Sequence, residues 1–508
     1  MVPFLAAVLV VAGLVPVTVV AGAGAGTPTD GFGTTAVDLS ETRAPEVVQT
    51  VEYRLLPNAS GRIGVTLSYE PGANVTSLVT YGARTRRYVD SNGFAERQNG
   101  RWVWTREATT PSLTFEVTVN RSGPTFRGLG YVDAGDWALA NPQTAFAYRN
   151  ASQPWRYSWQ DDARVERRTE IDGPGAVGSS MVYLGPHETR RANITGGELR
   201  VVEPAAANTS SVDRAVVSVR RASTQLDVGA RDRKVTVFVG PPPLREGGLA
   251  VGEHNDSQDV WVSDRAAVTP PDNTWVHEYV HTRQAFDLGS RMRWFREASA
   301  TYYAGVLSVR QGLGGRDGFE AFLTTLRSNG SSEVVLTNRS DWKNAYTPYS
   351  RGTRTLAALD ARIRSDTGGN RTLEDVFARM NRHNGTVTYE EFGRIVGNVS
   401  GTDHGVWLDN HVAGSTTVVA PTDPIVYTAP GTDSDADGDG LTAAGERAND
   451  THPFDADTDD DAVRDGREVA LGLDPDDSDT DGDGLPDGFE LVLGTDPTNE
   501  TDYYAFTQ

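Results

Sequence analysis

The chain has 508 residues, room for about three domains, and its 38% hydrophobic and 23% charged residues suffice for ordinary cores. It contains no cysteine, which excludes disulfides, thiolate metal sites, cysteine nucleophiles and lipid-modified cysteine anchors. The net charge of −22 is uneven: residues 431–508 hold 24 Asp and Glu against three Arg, so an acidic tail follows a near-neutral body, and neither part suits nucleic acid as a partner.

Residues 3–25, PFLAAVLVVAGLVPVTVVAGAGA, are apolar and small and end in Ala-Gly-Ala, which predicts an export signal over 1–25 cleaved near Ala25. The alternative is an uncleaved N-terminal membrane anchor, since about 20 apolar residues can span a bilayer. Sequons support export: 14 of the 21 Asn residues stand in N-x-Ser/Thr, among them Asn58, Asn120, Asn193 and Asn499, which predicts a glycosylated extracellular surface. The expected location is therefore secreted or at the cell surface.

After a linker at 26–45, residues 46–150 alternate apolar and polar positions between turn signals. VVQTVEYRLL, RIGVTLSYE, RWVWTRE and LTFEVTV predict an N-terminal antiparallel β domain. Residues 151–415 are expected to form an α+β domain. Strands such as MVYLG and KVTVFVG and a helix near 209–222 come first, and from 275 the period is helical: WVHEYVHTRQAF, WFREASATYYAGVL, GFEAFLTTLRS, TRTLAALDARIRS, TLEDVFARM and YEEFGRIVG. Residues 416–432, rich in Thr, Pro and Gly, read as a linker, and 433–502 as a repeat array.

The chemistry centres on His277-Glu278-Tyr279-Val280-His281. Residues four apart on a helix share a face, so both imidazoles can reach one ion. Zinc accepts neutral imidazole nitrogens and, in catalytic sites, keeps a position for water. Glu278 then lies beside the metal, placed to take a proton from zinc-activated water as it attacks a carbonyl. A third ligand is expected from Glu297, 16 residues after His281 on an otherwise apolar helix, where a carboxylate is costly unless paired or metal-bound. His, His and Glu make a ligand set known in catalytic zinc sites.

HEYVH followed by WFREASATYYAG resembles the gluzincin metallopeptidases, the group of thermolysin and aminopeptidase N, and within it the glycyl aminopeptidase family. Three further stretches carry the likeness. Gly247-Gly248-Leu249-Ala250-Val251-Gly252-Glu253-His254 resembles that family's G-G-L-E-H segment. YSRGTRTLAALDARIRSDTGGNRTLEDVFARM (349–380) resembles its Y-x-x-G helix and its Leu-Asp-x-x-Ile-Arg, Thr-Gly-Gly and S-L-x-D-V elements. VSGTDHGVWLDNHVAG (399–414) resembles its closing helix. The resemblance implies a thermolysin-like catalytic domain, mainly helical after the metal motif, and Tyr349 as a phenol donor to the oxyanion, with Tyr346 a near alternative. It also implies substrate binding at Gly248. The family's amine-binding Glu falls at Ala250, so Glu253 is the remaining candidate for that charge, and aminopeptidase and endopeptidase action both stay open. Two other positions depart from the pattern. Ala298 replaces the usual Gly after the ligand Glu, and Thr301 stands where thermolysin-like sites carry an Asp that orients a ligand His. Another acceptor is therefore required.

The tail repeats at 22 residues. Asp435, Asp437, Asp439 and Glu446; Asp457, Asp459, Asp461 and Glu468; and Asp479, Asp481, Asp483 and Glu490 occupy positions 1, 3, 5 and 12 of an EF-hand spacing for calcium. Asp465 and Asp487 stand at position 9. Gly440 and Gly484 fit position 6, whereas Ala462 does not. The array resembles thrombospondin type 3 repeats, and so much carboxylate is expected to pack only with divalent cations. The leading expectation is a secreted zinc metallopeptidase acting on a peptide or protein substrate and attached to the cell surface through its calcium repeats. The competing one is a non-catalytic adhesion protein that carries a retired peptidase domain on a calcium stalk.

Overall fold

The computed structural model describes residues 45–501 apart from 82–85, 98–99, 123–127, 142–143, 152, 159–163, 252–256, 328–333 and 430–433. The expected export signal and most of the first linker lie outside the described residues. The chain separates into a β-rich unit ending at His187 and a second unit from Glu188 to the C-terminus. This boundary corrects the expected division at 150/151: the strands Val165–Asp172, Gly175–Val177 and Val182–Leu184 all pair within the first unit.

Three five-stranded sheets are described in the β-rich unit. The longest has the order Val165–Asp172, Val47–Leu55, Arg62–Pro71, Ser112–Thr118, Arg86–Asn92. Its inward positions recur every second residue, and Val47, Val51, Ile63, Val65, Leu67, Tyr69, Leu113 and Phe115 enter one core. The sheet departs from the wholly antiparallel arrangement expected from the alternation. Val165–Asp172 lies parallel beside Val47–Leu55, in register Val47 opposite Val165. Alternation reports which side chains face inward and is blind to strand direction. A parallel neighbour needs a long return path, and here the other strands of the unit supply it.

The second unit is built on a mixed sheet with strand order His187–Ile194, Gly197–Pro204, Lys234–Gly240, Ser257–Ser263, Gly248–Val251. The last strand is an edge and runs antiparallel to Ser257–Ser263, whereas the three central strands are parallel. Helix α1 (Val212–Gln225) provides the crossover between the first parallel pair. The remainder is helical: α2 (Thr274–His281), α3 (Trp294–Val309), α4 (Gly315–Arg327), α5 (Thr353–Thr367), α6 (Leu373–Asn381), α7 (Tyr389–Ser400) and α8 (Gly405–His411). None of the described helices is long and apolar enough to cross a membrane.

α3 is apolar on all sides and nearly all its residues are buried, as a helix at the centre of a unit must be. Close packing demands missing side chains at two points. A Cβ on Gly305 would meet the Phe322 ring of α4 at 2.2 Å, and one on Gly352 would meet the Ala298 methyl at 2.8 Å.

The stretch read as a linker at 416–432 is instead packed where it is described. Tyr427 is fully buried, its ring lies 5.7 Å from Phe319 and 5.4 Å from Phe322, and its hydroxyl donates to the Pro421 carbonyl. Arg310, at the end of α3, donates to the carbonyls of Tyr427 and Thr428. Composition marked this segment as irregular, and it is, but irregular backbone becomes ordered when an aromatic anchor fills a socket and a buried guanidinium satisfies its carbonyls.

Candidate metal centre

Asn273 precedes α2 and caps it, its side-chain oxygen accepting from the Val276 amide, while its Nδ2 donates to Ser218 Oγ and Ser308 Oγ. This ties the start of the motif helix to α1 and α3. All of α2 after its first residue is buried. His277 and His281 fall one turn apart, with ring centroids 4.9 Å apart and Nε2 atoms 3.1 Å apart. α3 then brings in Glu297 in its first turn, where the helix dipole favours a carboxylate. Glu297 Oε2 lies 3.5 Å from His277 Nε2 and 3.3 Å from His281 Nε2.

These three atoms form a triangle of 3.1–3.5 Å. Donors 2.0–2.1 Å from a tetrahedral zinc ion stand about 3.3 Å from one another, so the residues fit the ion without rearrangement. Burial raises the Glu297 carboxyl, but the imidazoles of His281 and His277 overcome it and hold the group well below the usual carboxylate range. Burial lowers His277. For His281 the attraction of Glu297 and Glu278 outweighs burial and raises it.

Glu278 is fully buried, and both carboxylate oxygens lack a hydrogen-bond partner. Burial pushes its carboxyl up to about 8, with His281 pulling it down, Glu297 pushing it up and Arg245 pulling it down. The edge strand passes directly over it: a Cβ on Gly248 would sit 2.5 Å from Glu278 Oε1. Gly248 therefore leaves the space that the Glu278 carboxylate occupies. Tyr349 is buried in a π-helical turn (Pro348–Gly352) that leads into α5, and its ring lies parallel to that of His277 at 5.9 Å. Glu253 lies outside the described residues, and Ala250 sits buried in the edge strand.

Two polar side chains neighbour the imidazoles, and of these Gln284 had no sequence signal. Gln284 Oε1 lies 3.0 Å from His281 Nδ1. Thr301 Oγ1, at the position of the expected Asp, lies 3.5 Å from His277 Nδ1 and donates to the Glu297 carbonyl at 2.9 Å. A Gln three residues past a motif looks like any polar helix end; only its contact with α3 distinguishes it.

A second set of acidic clusters lies in the tail. Carboxylate oxygens converge at Asp435, Asp437 and Asp439, at Asp457, Asp459 and Asp461, and at Asp479, Asp481 and Asp483. Short helices come after each loop: α9 (Ala443–Asn449), α10 (Asp465–Leu471) and α11 (Asp487–Leu493). They deliver Glu446, Glu468 and Glu490 to the interior, the last two fully buried with both carboxylate oxygens unpartnered. Burial and neighbouring Asp residues push Glu446 and Glu468 up to about 8 and Glu490 to about 7.

The loops are chained rather than separate. Asp439 Oδ2 accepts from the Gly466 amide and Asp461 Oδ2 from the Gly488 amide, each in the next repeat. Asp487 has both oxygens engaged by Thr480, and it converges with Asp461 and Glu468 of the preceding loop as well as closing its own. Asp465 is held by Thr458 in the same way. Ala462 takes φ +76°, the left-handed conformation that Gly440 and Gly484 take in the other loops. Ala462→Gly is therefore expected to stabilise the array by about 1 kcal/mol, read as a higher denaturation midpoint.

The bacterial TSP3 repeat model matches residues 479–500. No curated protein matches the chain. Among solved structures, the chain is similar to an aminopeptidase N family protein from Idiomarina loihiensis at 16% identity and a TM-score of 0.44, over 72% of this chain and 74% of that one. It is also similar to a mutant M1 zinc metallopeptidase from Deinococcus radiodurans, bound to a Tyr-Ser-Ala substrate, at 14% identity and a TM-score of 0.45, over 74% of this chain and 95% of that one.

Proposed function

We propose that this chain is an exported zinc-dependent metallopeptidase that hydrolyses peptide bonds and carries a calcium-binding repeat array. One observation carries the reading: the 3.1–3.5 Å triangle of His277, His281 and Glu297, with the unpartnered carboxylate of Glu278 buried beside it. A buried carboxylate without partners is costly, and a retired site would have no reason to keep it.

His277, His281 and Glu297 would hold a zinc ion, which would supply an activated water and polarise the scissile carbonyl. Glu278 takes the proton of the attacking water and returns it to the departing amine. Tyr349, parallel to His277, supplies a phenol donor for the charge that develops on the carbonyl oxygen. The strand Gly248–Val251 is last in its sheet, and an extended peptide pairing with it would run beside Glu278.

The calcium part of the reading rests on the buried unpartnered carboxylates of Glu468 and Glu490 and on the chained Asp clusters. The array is proposed to serve attachment at the cell surface. Metal analysis of the purified chain together with cleavage-site mapping on a peptide mixture tests the assignment. One bound zinc with peptide cleavage supports it, and cleavage sites at the N-terminus or within peptides separate aminopeptidase from endopeptidase action. Zinc-free protein, or zinc-loaded protein that cleaves no peptide, overturns it. Gly248→Ala adds a methyl 2.5 Å from Glu278 Oε1, so the carboxylate must shift. Peptide hydrolysis is expected to fall about 100-fold with zinc content unchanged, because a displacement near 1 Å is enough for such a loss.

A further inference from the structure

We propose that Gln284 is the positioning residue of the metal centre: it holds His281 in the tautomer that carries the proton on Nδ1 and leaves the Nε2 lone pair for the ion. The inference rests on the zinc reading above and deepens it.

Gln284 comes three residues after the end of α2 and is completely buried. An amide side chain has two unlike ends, and its direction here is settled by partners that can play only one role. The Arg296 carbonyl, which can only accept, lies 2.8 Å from Gln284 Nε2. The Arg296 guanidinium, which can only donate, lies 3.4 Å from Gln284 Oε1. Ser299 Oγ, 3.0 Å from Nε2, spends its own proton on the Arg296 carbonyl and so accepts from the amide. The oxygen end therefore faces His281.

At 3.0 Å from that oxygen, His281 Nδ1 must be the protonated nitrogen of the neutral ring. Its Nε2 is then an acceptor, and it is the atom 3.1 Å from His277 Nε2 and 3.3 Å from Glu297 Oε2. The partner of His277 is longer, Thr301 Oγ1 at 3.5 Å, so the two imidazoles are held unequally and Gln284 carries more of the orientation. The same amide joins the end of α2 to the first turn of α3, the turn that carries Glu297. One side chain thus sets both the tautomer of one ligand and its spacing from another. Gln284 brings no charge of its own to the centre.

The test compares wild type with Gln284→Met, which keeps length and apolar volume but has only a weak thioether acceptor, and Gln284→Glu, whose carboxylate still accepts from Nδ1 but no longer donates to the Arg296 carbonyl. Zinc affinity is measured by chelator competition on the full chain, visible spectra are recorded after cobalt loading, and the metal-free melting temperature of each variant is taken. Gln284→Met is expected to bind zinc about 10–100-fold more weakly and to show a shifted cobalt spectrum. Gln284→Glu is expected to bind zinc within about threefold of wild type, on the same rule that an acceptor at this place sustains affinity. Wild-type affinity in Gln284→Met overturns the proposal. So does equal loss in both variants accompanied by equal loss of metal-free melting temperature, since that marks a purely structural role. A wild type that binds no zinc at all takes down the zinc reading itself, a result distinct from either.

Discussion

Glu278→Gln is expected to abolish peptide hydrolysis, lowering kcat at least about 10³-fold, which is within the range for removing a positioned general base. Zinc content should be unchanged, because Glu278 lies beside the ligand triangle and none of its atoms belongs to it. The substitution keeps size and shape, and it places a neutral amide where burial already disfavours charge, so the variant should fold at least as stably as wild type. Side-by-side kinetics and metal analysis check this. Loss of activity with zinc retained supports the catalytic assignment. Undiminished cleavage would show that another group moves the proton, and an inactive wild type would favour the adhesion reading.

Calcium removal is expected to have the second large effect. Glu468 and Glu490 are fully buried without partners and their loops crowd like charges, so a cation-free array should lose its short helices on chelation, seen as a fall in helical circular dichroism. Ligand bound only by the folded form at about 100 times its Kd stabilises by about 2.7 kcal/mol per site. The effect should reach beyond the array. Phe454, in the segment between the first two loops, is buried against Phe319 of α4 at 5.3 Å, His452 packs on the same ring at 5.3 Å, and Arg316 of α4 donates to the Thr458 carbonyl. Chelation should therefore lower the melting temperature of the helices around α4 as well. Phe454→Ala should cost about 3–5 kcal/mol and weaken this coupling while the acidic loops remain intact. A melting temperature indifferent to calcium in the wild type would refute it.

The legible and the illegible parts of the site differ in range. His277 and His281 were readable because four residues on a helix is a local rule, and the EF-hand spacing of the Asp and Glu positions is equally local. Glu297 was readable because a carboxylate in an apolar helix needs a reason. Gln284 was not: its side chain matters only because the Arg296 carbonyl and guanidinium lie beside it. Gly248 stood out only through a resemblance, and its physical role, room for Glu278, appears once the edge strand lies over α2. The glycines at 466 and 488 link one repeat to the one before. Each comes directly after an Asp and donates to a carboxylate 27 residues earlier, which a single-loop view of the repeats cannot see.

By itself the sequence determined the two-residue and 3.6-residue periods of the elements, the His-His-Glu cluster, the carboxylate of Glu278 next to it in the motif and the 22-residue acidic period. Each of these is written in neighbouring residues and needs only backbone geometry to be read. The tertiary structure decided where the β-rich unit ends, that one of its strands runs parallel, that the Pro- and Thr-rich segment is anchored by Tyr427, that the repeats dock on α4, and which side chain steadies His281. These depend on which surfaces meet after long stretches of chain have closed, and burial in three dimensions, with the hydrogen bonds it compels, leaves no mark on local spacing.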